Sequence, residues 1–311
     1  MVLAGAGSRG LIGAAAGPRT GRGGSEQHLA RVIASGGALG RGMLTLADRN
    51  FSGYPVVAAL AATGADVLIR AKTSQRLPVI QALADGSYTS MLADPAAARA
   101  RHRRNAQRAA RGSALGRDNS VVPGIAVRVI EAGITITPAG GPPRTEHCRL
   151  ITTLTDPATA PAAQVAACYA QRWDIETGYR EIKTFTLGPG RVLRSHDPAG
   201  ITQETWALLC ATQLIHTARA AAATAGGHDP DRISYTITLH AIRRALLPTT
   251  PASITAEALS NLLPARRRRS YPRLTRTSTT KRRQARAHLT GTTTYKITIV
   301  APAQASGLPG P

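Results

Sequence analysis

A short stretch near the middle of the chain carries an acid between two cations at helical spacing. Its residues, spaced by three, four and seven positions, are Tyr169, Arg172, Glu176 and Lys183. At about 100° per residue, a helix places all four on one narrow stripe. A carboxylate in such a stripe suits a hard cation, and the neighbouring guanidinium and amino groups suit phosphate. The alternative is an ordinary solvated face with pairs of charges four residues apart.

The spacing Tyr-x2-Arg-x3-Glu-x6-Lys resembles the signature of bacterial insertion-sequence DDE transposases of the IS-four family. Trp173 and Ile175 fit the Arg-Trp-x-Ile-Glu context of that signature. The resemblance extends from about residue 10 to about residue 296. It implies an α/β fold with a ribonuclease H-like catalytic core, a β-rich insertion and an N-terminally incomplete core.

Asp48 is the second candidate site residue. It directly follows the compact apolar run MLTLA, which predicts a buried strand with a carboxylate at its C-terminal end. The context Leu-x-Asp-Arg-x-Phe is similar to that of the second catalytic aspartate in the family. An aspartate in this position can also simply cap the following helix, and the sequence leaves both roles open.

The resemblance implies phosphoryl transfer on DNA by two Mg²⁺ ions, with Asp48 and Glu176 as catalytic, metal-binding carboxylates. Two such ions lie about 4 Å apart and act on the attacking and leaving oxygens. The family also uses an earlier aspartate, but Glu26 is the only acid before Asp48, and its place at a predicted helix start suits capping. We therefore expect an insertion-element transposase that cuts and joins DNA poorly by itself. The alternative is a non-catalytic basic DNA-binding protein, either a transposase remnant or an inhibitor.

The same resemblance implies that Tyr169, Arg172 and Lys183 grip phosphates at the transposon end. Trp173 either stacks on an unpaired base or packs as an ordinary aromatic residue. The expected partners are double-stranded DNA with the terminal inverted repeats of an insertion element and, as one option, a second copy of the chain. A run in the C-terminal tail suits phosphate contacts or simple solubility. Its members are Arg266, Arg267, Arg268 and Arg269.

The charge balance independently indicates a polyanionic partner. The chain of 311 residues has 39 Lys and Arg against 17 Asp and Glu, for a net charge of +22. Almost all of these cations are arginine, a bias that a GC-rich genome also produces.

The three cysteines are widely spaced without a CxxC pair, which indicates reduced thiols. Because no apolar run approaches 18 residues, we expect no membrane span. The resemblance implies a cytoplasmic, nucleoid-associated bacterial protein without a membrane partner.

Hydrophobic patterning predicts how these residues are positioned. A helix between two apolar runs near Asp48 indicates a βαβ unit, and an alanine-rich helix from about residue 161 to 183 carries the signature. The pair Asp85-Gly86 predicts a hairpin, and the arginine-rich run at 95–117 predicts a solvated helix or flexible arm. The expected domains are a partial ribonuclease H-like core (1–74), a β-rich insertion with the basic arm (75–147), the rest of the core with the catalytic and C-terminal helices (148–250), and a basic tail (251–311).

Overall fold

The computed structural model describes residues 1–18, 21, 23–111, 118–137, 142–247, 253–263 and 294–302. The chain divides into two compact units: Met1–Val67 with Tyr169–Arg266, and Leu68–Cys168 with Arg267–Pro311. Strands and helices are mixed in the chain, in agreement with the expected α/β class. The ribonuclease H-like topology stays a prediction. None of the helices in the described ranges has the length and hydropathy that crossing a membrane requires.

The elements follow one another along the described residues. The strands are β1 (Val2–Ala4), β2 (Leu11–Ala14), β3 (Leu44–Ala47), β4 (Asp66–Arg70), β5 (Gln81–Ala82), β6 (Tyr88–Ala93), β7 (Gly124–Thr137), β8 (Arg144–Thr152) and β9 (Thr294–Ile299). The helices are α1 (Glu26–Ser35), α2 (Tyr54–Ala61), α3 (Pro95–Ala110), α4 (Ala162–Cys168), α5 (Asp174–Arg180), α6 (Pro198–Gly226), α7 (Tyr235–Ala245) and α8 (Ile254–Ser260). Short 3-10 turns occupy Arg49–Phe51, Tyr169–Trp173 and Pro230–Arg232, and a π-helical turn occupies Glu181–Thr186.

In the first unit, a β-hairpin precedes the strand that leads to Asp48. β1 and β2 pair antiparallel, with a register shift beside their connecting turn. β3 then runs beside the start of β4, because the Asp66 amide donates to the Met43 carbonyl at 2.8 Å. Helix α1 begins where the sequence predicts, since the Ser25 hydroxyl accepts from the His28 amide at 3.2 Å.

Helix α6 forms the longest element of the first unit, with 29 residues. It ends at Gly227, whose φ of 64° lies in the left-handed region that glycine adopts without strain. Near this end, α6 packs against α7 and α8. An apolar cluster at this end contains Ala222 and Ala223 of α6, Ile233 just before α7, and Ala258 of α8.

In the second unit, an antiparallel sheet has the strand order β4-β8-β7-β6-β5, with β9 paired to β7. Tyr88, Ser90 and Leu92 of β6 are buried, whereas the residues between them are less so, which is the alternation expected of a strand with one core face. β5 and β6 join at the predicted turn, where Gly86 has a φ of 82°.

A fully buried arginine holds together several segments of the second unit. Arg128 donates from Nε to the Ser87 hydroxyl at 2.7 Å and from a terminal nitrogen to the Ala160 carbonyl at 2.6 Å. It also pairs with Asp85, whose carboxylate accepts from the Ala162 amide at 2.9 Å. Because a buried guanidinium requires partners for its donors, this set fixes the position at which α4 begins.

Candidate active site

The signature residues lie in a helical segment that changes type along its length. A 3-10 turn over Tyr169–Trp173 is followed by the α-helix over Asp174–Arg180 and the π-helical turn over Glu181–Thr186. The sequence-based prediction of one regular α-helix was therefore wrong. Since a 3-10 helix has 3.0 residues per turn, Tyr169 and Arg172 lie directly above one another instead of about 60° apart.

Tyr169 connects this segment to the strand that precedes Asp48. Its hydroxyl donates to the carbonyl of Ala47 at 3.1 Å. Ala47 is the last residue of β3, and Asp48 follows it directly. The first signature residue is thus fixed to the strand end that carries the first candidate carboxylate.

Asp48 caps the short 3-10 turn that follows β3. Its Oδ1 accepts from the Asn50 amide at 2.7 Å, so the capping role that the sequence left open is present. Asn50 in turn donates from its side chain to Glu26 at 2.7 Å, which links the start of α1 to the same turn. Within the described residues, no hydrogen bond reaches Asp48 Oδ2, so one carboxylate oxygen can still serve as a ligand.

Arg172 is held by aromatic rings and lies near Glu176. Its guanidinium carbon is 4.7 Å from the Trp173 ring centroid and 5.8 Å from that of Tyr169. A terminal nitrogen lies 3.9 Å from Glu176 Oε1, and the Glu176 side chain is 51% exposed. An ion pair this long and open contributes little to stability. Glu176 therefore presents an accessible carboxylate beside a cation whose orientation is restricted.

Lys183 is exposed at the far end of the signature. Its amino nitrogen lies 5.8 Å from the ring centroid of Tyr179, one turn earlier in the helical segment. This contact restrains the lysine stem and leaves the charged group accessible to solvent. The four candidate arginines Arg266–Arg269 lie outside the described residues.

The turn between β1 and β2 contacts two acids that the sequence interpretation missed. The Gly7 amide donates to Asp174 Oδ2 at 3.0 Å, and Arg9 Nε forms an ion pair with Glu181 Oε2 at 3.3 Å. Arg9 has a φ of 58°, which is uncommon outside glycine. The turn thus contacts the helical segment at two residues, one before Glu176 in the sequence and one after it. Asp174 and Glu181 are seven residues apart, which places them on one side of a helix but does not reveal which element contacts them.

Glu181 belongs to a buried cluster of charged and polar side chains in the first unit. Arg9 also pairs with Asp231 at 3.2 Å, and the Arg9, Glu181 and Asp231 side chains are no more than 10% exposed. Arg219, fully buried in α6, donates to the carbonyls of Ile233 and Pro230 at 3.0 and 2.9 Å. Such a cluster is stable only when its members remain together, since each isolated buried charge is strongly unfavourable.

Burial determines the protonation of this cluster. It raises the pKa of Glu181, although Arg9 and Arg219 oppose the shift. Burial lowers the pKa of His216 to about 3, and repulsion by Arg219 and Arg9 adds to this effect. His216 is therefore neutral near pH 7, so its 3.9 Å approach to Glu181 is not an ion pair there. Arg219 keeps its charge because burial lowers its pKa only to about 10.

The two candidate carboxylates have donor chemistry that fits Mg²⁺. Proteins commonly hold this ion through one or two carboxylates while substrate phosphates and water complete the coordination shell. Over the described ranges, no group of three or more His, Cys, Asp and Glu side chains lies close enough to hold a metal. Asp48 Oδ2 and the exposed Glu176 carboxylate offer oxygen ligands of this kind. Their proximity to each other stays a prediction.

Residues 9–214 match a family model described as the transposase DDE domain. The chain is also similar to the transposase InsG for insertion sequence element IS4 of Escherichia coli (strain K12), with 31% identity over 163 residues. That alignment covers 49% of this chain and 36% of the relative, so the chain spans about a third of the length of that curated relative. The family match includes Asp48 and the whole of the signature segment.

Proposed function

Because the chain belongs to the transposase DDE domain family, we propose that it acts on the DNA of an insertion element by phosphoryl transfer at Asp48 and Glu176. The resemblance to the IS-four family, inferred from the signature, is confirmed by the family match and the similarity to the IS4 transposase. The reaction and the roles of individual residues are our proposal.

The observation that carries the proposal is the hydrogen bond between Tyr169 and Ala47. It supports a site assembled from the end of β3 and the signature segment. Asp48 follows Ala47, and Glu176 lies two helical turns after Tyr169. A carboxylate from a strand and another from a helix are a suitable pair for holding metal ions over a phosphate.

Asp48 and Glu176 would hold Mg²⁺ in this site. When bound, the ions neutralise charge that develops on the attacking and leaving oxygens of the phosphate. The chain's own cations would position the DNA. Arg172, restrained by Trp173 and Tyr169, offers a planar pair of donors to phosphate oxygens, while Lys183 supplies a point charge.

The proposed substrate is double-stranded DNA with terminal inverted repeats. Inverted repeats present the same sequence twice in opposite orientations, which suits two copies of the chain related by a twofold axis. Trp173 is the candidate for stacking on a base that becomes unpaired during the reaction. The basic run Arg266–Arg269 would add contacts to the phosphate backbone.

We further propose that cleavage by this chain is slow, because two carboxylates hold metal ions weakly. The test uses a duplex that carries the terminal sequence of the element around the gene, with and without Mg²⁺. The full chain should bind the duplex and nick it slowly in a metal-dependent manner. Glu176→Gln should abolish nicking and retain binding, because the amide keeps the size of the side chain and removes a metal ligand.

Glu146→Gln provides a matched control, since Glu146 is also exposed but lies on β8 in the second unit. Equal nicking by wild type and Glu176→Gln would contradict the assigned site. Binding without any nicking by the wild type would favour the alternative function, a non-catalytic DNA-binding protein. A chain that does not bind the duplex would contradict both functions.

A further inference from the structure

We propose that the outer face of α3, carrying Arg99 and Arg103, binds the phosphate backbone of double-stranded DNA. This surface belongs to the second unit, whereas the signature residues belong to the first. The inference rests on the proposed function, since it adds a second contact with the same substrate.

Helix α3 owes little of its stability to packing. Its 16 residues, PAAARARHRRNAQRAA, include no buried residue and no acid. The helix begins because Asp94 accepts from the Ala96 amide at 2.8 Å and Pro95 occupies the first helical turn. Alanine and arginine then favour its continuation. Because no residue of α3 is buried, much of its surface is available for other contacts.

One side of α3 is used to hold the chain that returns after it. Asn105 both donates to the Asp118 carbonyl at 3.1 Å and accepts from the Asp118 amide at 3.0 Å. Arg101 donates to the carbonyl of Ser120, and Arg104 lies 3.8 Å from the Asp118 carboxylate. These contacts account for Arg101 and Arg104 on this side of the helix.

Arg99 and Arg103 lie on the opposite side and are exposed. Four residues apart, they project from successive turns about 6 Å apart along the helix axis. Within the described part of the chain, neither forms an ion pair or hydrogen bond with another residue. Like charges at this spacing repel each other and destabilise the helix unless an anion neutralises them. A polyanion would remove that repulsion.

The composition of α3 favours duplex DNA among the polyanions. Phosphates follow each strand at a rise of about 3.4 Å, so guanidinium groups one helical turn apart can reach phosphates of the same strand. Arginine also matches phosphate with two parallel donors. Proteins that bind single strands add aromatic platforms for the bases, and α3 contains no Phe, Tyr or Trp. The surface therefore fits a backbone contact that is independent of sequence.

The test measures how the affinity of the full chain for DNA depends on salt. Because each neutralised phosphate contributes about 0.9 to the slope of log affinity against log salt, Arg99→Ala/Arg103→Ala should reduce the slope by about 2. Arg99→Lys/Arg103→Lys should retain it, since the charges remain. Arg31→Ala/Arg243→Ala is the matched control, because it removes two exposed arginines from helices of the first unit.

The proposal is supported if the salt slope falls in Arg99→Ala/Arg103→Ala but not in the control, and if circular dichroism shows unchanged helix content. An unchanged slope, or an equal loss in the control, would overturn it. A reduction of the salt slope that occurs with an RNA duplex but not with a DNA duplex would also overturn it. Measurements on an element-end duplex and an unrelated duplex separate this proposal from the proposed function: α3 should contribute equally to both. If preference for the element end is missing, the proposed function fails and the α3 contact remains.

Discussion

The hydroxyl of Tyr169 donates a 3.1 Å hydrogen bond to the carbonyl of Ala47, which is 122 residues earlier in the chain. This bond joins the beginning of the signature segment to the end of β3, immediately before Asp48. A backbone carbonyl is a fixed acceptor, so the tyrosine orients the first turn of the segment relative to the strand. The proposed active site depends on this relationship.

Tyr169→Phe should destabilise the protein by about 1 kcal/mol, because it removes one hydrogen bond and retains the ring. Chemical denaturation of the two proteins would measure the difference. Tyr54→Phe, at the start of α2, is the matched control and should change stability by less, as no hydrogen bond from its hydroxyl occurs among the described residues. Equal effects of the two substitutions would show that the Tyr169 bond contributes nothing to the folded state.

The buried pair Arg9–Glu181 should show a strong energetic coupling. Removing either partner leaves an uncompensated charge, so Arg9→Ala and Glu181→Ala should each cost about 3 kcal/mol or more of stability. A double-mutant cycle should give a coupling of about 1–3 kcal/mol.

The exposed pair Arg144–Glu146, at 3.1 Å, supplies the control cycle. Its coupling should stay below about 1 kcal/mol, because solvent screens both charges. If the coupling energy between Arg9 and Glu181 is no larger than this control value, the β1–β2 turn does not hold the helical segment through Arg9.

Acid should destabilise the protein through His216. Its pKa falls from 6.5 to about 3 on folding, so the unfolded state binds more protons between these values and stability decreases as pH falls below about 6.5. The contribution of this residue has a slope of up to about 1.4 kcal/mol per pH unit. Glu181 and Asp231, whose pKa values are raised by burial, oppose it, since their stability contributions are lost as pH rises.

His216→Gln should therefore flatten the dependence of unfolding free energy on pH between about 6.5 and 4. His240→Gln is the control, because His240 lies exposed on α7. A slope that His216→Gln leaves unchanged would contradict the buried neutral state of His216.

The basic run Arg266–Arg269 should contribute to DNA affinity. Replacing all four arginines by alanine should reduce the salt slope, by about 0.9 for each phosphate contact that is lost. Titration of a labelled duplex at several salt concentrations measures this slope. An unchanged slope would show that the run serves solubility only.

Features set by neighbouring residues were predictable from the sequence. The strand before Asp48, the capping role of Ser25 and the Asp85-Gly86 turn all depend on local patterning or turn chemistry. The arginine-rich run left two options, and the structure contains the helical one. α3 has no buried residue, so alanine and arginine propensity, the Asp94 cap and the contacts with Asp118 and Ser120 favour the helix over a flexible arm.

Features that depend on distant contacts were not predictable. The sequence interpretation assumed a regular α-helix with about 100° per residue. It therefore missed the 3-10 and π-helical turns on either side of Glu176, since these arise where the segment meets other elements of the first unit. The contact between Arg9 and Glu181 joins residues that are far apart in the chain. A glycine-rich stretch does not reveal that its arginine will turn inward and meet a buried acid.

The central claim is that Asp48 and Glu176 hold a metal ion together, and a crystal structure of the full chain with Mn²⁺ and an element-end duplex tests it most directly. We predict an anomalous peak contacting oxygens of both residues, with the two carboxylates within about 8 Å, and the loss of that peak in Glu176→Gln. Carboxylates that point to opposite faces of the unit, or a Mn²⁺ ion bound without either of them, would contradict the proposed site.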